Sequence, residues 1–210
     1  MTDEPVGDER TALPAHEDRP HVLVVDDEAD VRELYADQLA DEYDVSTAAS
    51  GSEALDVLDD SVEVVLLDRR MPGLHGDDTL ERIRTSGVDV RVAAVSGVSV
   101  GLDVVGLPVD AYLEKPVDSA DLRDAVDRLV RVARYDDRVR QYFAVMHKQV
   151  ALEAADVHRP DDEYGELARR REALESGIDD LHARLDHEDY EFLFRDLGND
   201  GHDSPADLYA

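Results

Sequence analysis

Five positions combine residue types that could do chemistry together: Asp26 and Asp27, Asp68, Ser96, and Lys115. Each follows a short apolar run. Three carboxylates meeting in one crevice repel strongly unless a cation joins them. An oxygen-only donor set suits a hard ion, and Mg²⁺ characteristically takes one or two carboxylates together with water and phosphate oxygens. A lysine and a hydroxyl beside such a site suit a developing phosphoryl anion. One carboxylate would then be a nucleophile, with the metal, Lys115 and Ser96 stabilising the transferred group. Taken singly, each residue has a plainer reading. Asp26-Asp27 could cap a following helix, Asp68 could start a turn, and Ser96-Gly97 could be ordinary turn chemistry. Lys115 could be a solvated surface lysine, although it and Lys148 are the only lysines in the chain. The chemical reading depends on their conjunction, and so on the elements that carry them.

Those elements alternate. Val22-Leu23-Val24-Val25 is a continuous apolar run rich in β-branched residues, which suits a strand buried on both faces. A helical pattern follows through Val31, Leu34, Tyr35 and Leu39. A second strand is expected over Tyr43 to Thr47, then a helix through Ala54, Leu55 and Leu58 capped by Ser50 or Ser52. Val62 to Leu67 reads as a third strand ended by Asp68, with Leu80 and Ile83 marking the next helix. Val90 to Val95 is a fourth strand, ended by Ser96-Gly97. Residues 98–108 contain Gly101, Gly106 and Pro108, so any helix there is short. Ala111 to Leu113 is a fifth strand, ended by Glu114-Lys115-Pro116, and Asp118 or Ser119 caps a long helix beginning near Ala120. Five short strands alternating with helices predict a doubly wound parallel α/β sheet. In such sheets, sites form outside the C-terminal ends of the strands, where all five candidate residues fall.

The segments Val-Leu-Val-Val-Asp-Asp-Glu (22–28), Leu-Leu-Asp-Arg-Arg-Met-Pro-Gly-Leu-His-Gly (66–76), Ala-Val-Ser-Gly (94–97) and Tyr-Leu-Glu-Lys-Pro (112–116) resemble the receiver domain of two-component response regulators. The resemblance covers about residues 20–134 and implies a flavodoxin-like fold, Mg²⁺ as cofactor and a sensor histidine kinase as phospho-donor. It implies that Asp68 is the phospho-acceptor. Asp27 would ligate Mg²⁺ directly, Asp26 through water, and Arg70 through its backbone carbonyl. Ser96 would bind a phosphoryl oxygen, and Lys115 would pair with the phosphorylated carboxylate. Pro116 matches the family's cis peptide, and Tyr112 matches its aromatic switch position. The short 98–108 segment departs from the family pattern, which puts in doubt how phosphorylation is displayed.

Beyond the receiver, the apolar positions Leu122, Val126, Leu129 and Ala133 fit its last helix, and Tyr135, Val139, Tyr142 and Met146 continue the spacing. The receiver therefore either runs into the next module through one long helix or breaks near Asp136-Asp137. Pro160-Asp161-Asp162 marks another helix start. Tyr164, Leu167, Arg171, Leu174, Ile178, Leu181 and Leu185 then follow a 3-4 spacing like a coiled-coil seam. The short link at 157–161 favours an antiparallel hairpin, and Tyr190, Phe192, Phe194 and Leu197 form an aromatic cluster that could cover one end. The pattern, including Glu-Tyr-Gly-Glu-Leu and Phe-Leu-Phe-Arg-Asp-Leu, resembles the HalX domain that follows haloarchaeal receivers. The expected organisation is an acidic disordered tail (1–20), the receiver (21–134), a helical output module (135–197) and a flexible tail (198–210).

Charge separates the output classes. The chain carries 52 acidic and 22 basic residues, a net charge of −30. Such density fits adaptation to molar salt, where the Debye length falls to ~3 Å and like charge costs little. Residues 135–210 hold 20 acidic and 9 basic residues, net −11. DNA binding needs a cationic footprint, and the only dense basic run is Arg169-Arg170-Arg171. The favoured reading is therefore a module for a homodimer or a downstream protein. A DNA-binding transcriptional regulator is the alternative. An enzymatic output is disfavoured, because the histidines of this module show no ligand spacing. Cysteine is absent, which excludes disulfides and thiolate metal sites. With no long apolar run and no apolar leader, the expectation is a cytoplasmic chain with no membrane partner.

Overall fold

The computed structural model describes residues 19–97, 107–154, 161–185 and 189. Five parallel strands form one sheet in the order β2-β1-β3-β4-β5: β1 (His21–Val25), β2 (Asp44–Ala48), β3 (Val62–Asp68), β4 (Arg91–Ser96) and β5 (Ala111–Glu114). The helices of this part are α1 (Ala29–Leu39), α2 (Gly51–Val57), α3 (Gly76–Thr85) and the first turns of α4 (Ser119–Ala154). The doubly wound expectation holds. Val22, Val24, Val64, Leu66, Ala93 and Val95 face Tyr35 and Leu39 of α1 and Leu122, Val126 and Leu129 of α4. The alternate residues Leu23, Val25, Val65, Leu67 and Val92 face Ala54 of α2 and Leu80 and Ile83 of α3. Strands covered on both faces need no polar alternation, which is why β1 from Val22 to Val25 and β3 from Val64 to Leu67 read as unbroken apolar runs.

Local signals fix the helix starts. Ser50 caps α2 by accepting from the Glu53 amide, while the Glu53 carboxylate accepts from the Ala49 amide, a reciprocal capping box. The Asp118 carboxylate accepts from the amides of Ala120 and Asp121, so Asp118, not Ser119, caps α4. The second strand lies one residue later than expected. Tyr43 instead places its hydroxyl on the Asp127 carboxylate of α4, and burial first, with that hydrogen bond, holds the phenol far above its ordinary pKa.

The helix does not break at Asp136-Asp137. It runs 36 residues from the receiver into the output module. Ion pairs fasten its middle to the N-terminal ends of the central strands: Arg134 with Glu63, Asp136 with Arg91, and Arg140 with Asp89. α5 (Asp161–His182) begins where expected and packs antiparallel along α4. Arg171 meets Gln149, Arg138 lies over Gly177, and Asp189 pairs with Arg128 and Arg131, so residue numbers rise on one helix as they fall on the other. The expectations for the 1–18 tail, the 98–106 segment, the 155–160 link, the aromatic cluster and the C-terminal tail lie outside the described residues.

Candidate functional site

The three carboxylates converge. Asp26 follows β1, Asp27 the next residue, and Asp68 closes the neighbouring strand β3, so the topology alone sets them side by side. One oxygen of each lies within 4.8 Å of the others. Asp26 and Asp68 are buried, and Asp27 stands more open. Lys115 bridges the buried pair, donating to Asp26 Oδ2 at 2.7 Å and lying 3.2 Å from Asp68 Oδ2. Burial works against its ammonium, yet the hydrogen bond to Asp26 and the field of Asp68 outweigh it, holding its pKa above the ordinary lysine value. Three carboxylates against one ammonium leave a surplus of negative charge in a half-closed crevice. That donor set fits a hard divalent cation.

The plainer readings fail for Asp26 and Lys115, while Asp68 does start a turn as well as joining the cluster. The N-cap of α1 is Glu28, which makes no side-chain capping bond, and Asp26 accepts from the Glu28 amide at 2.9 Å while its other oxygen meets Lys115. Lys115 is not a solvated surface lysine. Its own amide donates to the Ser96 carbonyl at 2.8 Å, and the Lys115–Pro116 peptide is cis, as expected from Pro116. Ser96 is buried at the end of β4, whose Val95 pairs with Asp68 in register. Tyr112, on β5 opposite Ala94, is half-buried. Arg70 donates its amide to Asp68 Oδ1 at 3.2 Å, a turn that holds the carboxylate from the protein side.

Three supporting residues carry no sequence signal of their own. A Cβ on Gly76 would sit 2.4 Å from the Asp68 carbonyl, so only glycine lets α3 start against the backbone at the end of β3. Arg69 pairs with Asp77 on α3 at 2.9 Å and bolts the same junction. Tyr35 of α1 lies buried beneath the site. Burial raises its pKa, Asp26 and Asp68 add to this, and Lys115 opposes it. Tyr35 read only as an apolar helix position.

This is an acidic pocket, bridged by one lysine, at the C-terminal edge of a doubly wound sheet. The family of the response regulator receiver domain matches residues 22–127, and the HalX domain matches residues 131–194. The chain belongs to the response regulators, with a receiver domain followed by a HalX domain. A Haloferax volcanii protein, provisionally named a transcriptional regulator, is 42% identical over 188 residues, covering 85% of this chain and 32% of its own length. The transcriptional regulatory protein CpxR of Escherichia coli K12 is 33% identical over 121 residues, covering 56% of this chain and 52% of its own. The chain thus spans a third to a half of the curated relatives it matches. The fold is shared with a CheY-like receiver domain protein from Methanospirillum hungatei, at 22% identity and a TM-score of 0.52 over 56% of this chain and 98% of that one. No helix among the described residues is long and apolar enough to cross a membrane.

Proposed function

We propose that Asp68 accepts a phosphoryl group from a sensor histidine kinase and that the helical hairpin passes the signal on by associating with another protein surface. One observation carries the first half: Lys115 joins Asp26 to Asp68, with Asp27 within reach of the same point. An Asp68 oxygen attacks phosphorus, a P–O bond forms as the donor P–N bond breaks, and the histidine nitrogen leaves. Lys115 and Ser96 meet the charge that spreads over the phosphoryl oxygens. Asp26, Asp27, Asp68 and the Arg70 carbonyl would hold Mg²⁺, which supplies further neutralisation of that charge. Catalysis is confined to the chain's own phosphorylation and dephosphorylation. The acid excess and the Haloferax relative support a halophilic source, and a cytoplasmic site suits a histidine kinase partner. The test is transfer from a phosphorylated histidine kinase with Mg²⁺, followed by gel separation of the phosphorylated form. Asp68→Asn should label only at background. Labelling at the full level would refute the assignment.

The second half rests on the hairpin's apolar seam, Leu167, Leu174, Ile178, Leu181 and Leu185, of which only Leu185 is buried and the other four are half-buried. Ile178→Asp should weaken association and leave Asp68 phosphorylation unchanged. A DNA-binding output is the second reading, supported by exposed Arg169 and Arg170 and by the name of the Haloferax relative. Sequence-specific promoter binding at native salt, destroyed by Arg169→Glu with Arg170→Glu, would establish it in place of the association reading.

A further inference from the structure

The hairpin has almost no core of its own. Of its described residues 135–152, 165–185 and 189, only Val145, Gly177, Leu185 and Asp189 are buried. Val145 lies seven residues from Arg138 and four from Gln149, both of which meet α5, so it belongs to the face that α5 covers. Phe143 and Val150 lie ~140° around the helix from that face. They are 51% and 58% exposed. The extension of α4 is thus apolar on two sides, and one of them has no cover among the described residues. A helix apolar on more than one side is normally enclosed.

Composition says what encloses it. Acidic residues make up 52 of the 210, about one in four, yet the fifteen residues from Arg138 to Leu152 contain none. This is the longest acid-free run in the chain, and it holds Tyr142, Phe143 and Met146. Depletion of carboxylates with enrichment of aromatics, methionine and arginine is the composition of an interface core. Two chains of net charge −30 bring carboxylates together wherever else they touch. The exposed cations are few, and Arg140 is already paired with Asp89, so like-charge repulsion across this face is small.

We infer that the outer face of α4 pairs with the same face of a second copy, Phe143 of each chain packing against Val150 of the other. This rests on the association reading of the hairpin and names its partner. The pairing is self-complementary, as a two-fold interface must be. Phe143 and Val150 are equidistant from a point between Met146 and His147, so an axis there, perpendicular to antiparallel helices, exchanges them. Two hairpins so joined make a four-helix unit, an arrangement in which helices enclose a shared core.

The test uses the full chain in molar KCl. Sedimentation should give a two-chain species for the unaltered protein and a single chain for Phe143→Asp with Val150→Asp, which should still be phosphorylated on Asp68. Because the chain has no cysteine, His147→Cys introduces one thiol close to the axis. Mild oxidation should link this variant into a covalent dimer, while Leu34→Cys, exposed on α1, should stay single. A single-chain protein at all micromolar concentrations, or a dimer that persists in the Asp variants, overturns the pairing. A single-chain protein that captures a different protein through Ile178-sensitive contacts removes the pairing and leaves the association reading standing. Promoter binding lost on Arg169→Glu with Arg170→Glu removes the association reading itself.

Discussion

The receiver and the hairpin are made of the same residue types and differ in how completely they enclose them. In the receiver, Leu23, Val24, Leu66 and Leu67 are sealed between helices on both sides of the sheet. In the hairpin, two helices share one face, and most of their other faces have no cover among the described residues. Chemistry needs groups held in place before the reaction, and Asp68 and Lys115 are held by a close-packed scaffold. Signalling needs an element whose position can change, and a weakly buried one changes at least cost. The two regions also sit at opposite ends of the sheet. The carboxylate pocket lies at the C-terminal strand ends, and α4 is strapped by Glu63, Asp89 and Arg91 at the N-terminal ends. At that N-terminal end the charges join up: Arg84 and Arg91 both meet Asp110 just before β5, and Arg91 reaches on to Asp136 of α4.

The largest expected effect breaks the comparison at the acceptor end. Asp27→Ala should abolish Mg²⁺-dependent phosphorylation, reducing labelling to background while the folded circular dichroism signal is kept. Retained Mg²⁺-dependent labelling would mean that the acidic pair is not the metal site. Lys115→Ala should separate the regions instead. Mg²⁺ binding, read by quenching or calorimetry, should stay largely intact, while phosphorylation no longer alters the hairpin. Association that responds fully to phosphorylation in this variant would show that Lys115 does not couple the two.

Salt acts on both regions. Fifty-two carboxylates repel one another, and added ions screen that repulsion. The thermal midpoint should therefore rise from low to molar KCl. A flat or falling midpoint would remove the halophilic reading and the charge argument that depends on it.

What could be read in the sequence follows the same division. Strands covered on both faces appear as Val22 to Val25 and, after Glu63, Val64 to Leu67, because no polar alternation interrupts those runs. The caps at Ser50 and Asp118 are local, so they are visible locally. The site was legible because strand ends converge once the sheet is doubly wound. The continuity of α4 through Asp136-Asp137 was not, because Arg91, the partner of Asp136, comes from a distant strand and is visible only after folding. Gly76 and Tyr35 support the site through contacts with other elements, which spacing cannot report. The seam on α5 was visible, but its registry against α4 was not, and neither was the uncovered second face of α4.

The finest test compares one leucine in each region. Leu66, sealed in the central strand, should lose about 2–5 kcal/mol on truncation to alanine, from lost transfer energy and the cavity left among rigid neighbours. Leu174, on the α5 seam, is half-buried and lines an open cleft with Arg138, Gln141 and Arg170. Full burial of a leucine stabilises by roughly 1.5–3 kcal/mol, so Leu174→Ala should cost about 1 kcal/mol, with water entering the space rather than a cavity forming. Amide exchange measures both at once. Leu66→Ala should speed exchange throughout β1, β3 and β4. Leu174→Ala should speed it only in α5 and the facing turns of α4, leaving Asp68 phosphorylation unchanged. Equal losses at the two positions would mean that the hairpin is enclosed as fully as the receiver. In a preparation shown to be single-chain, that result would remove the contrast between them. In a dimer it would show that the second copy covers the α5 seam as well as the outer face of α4.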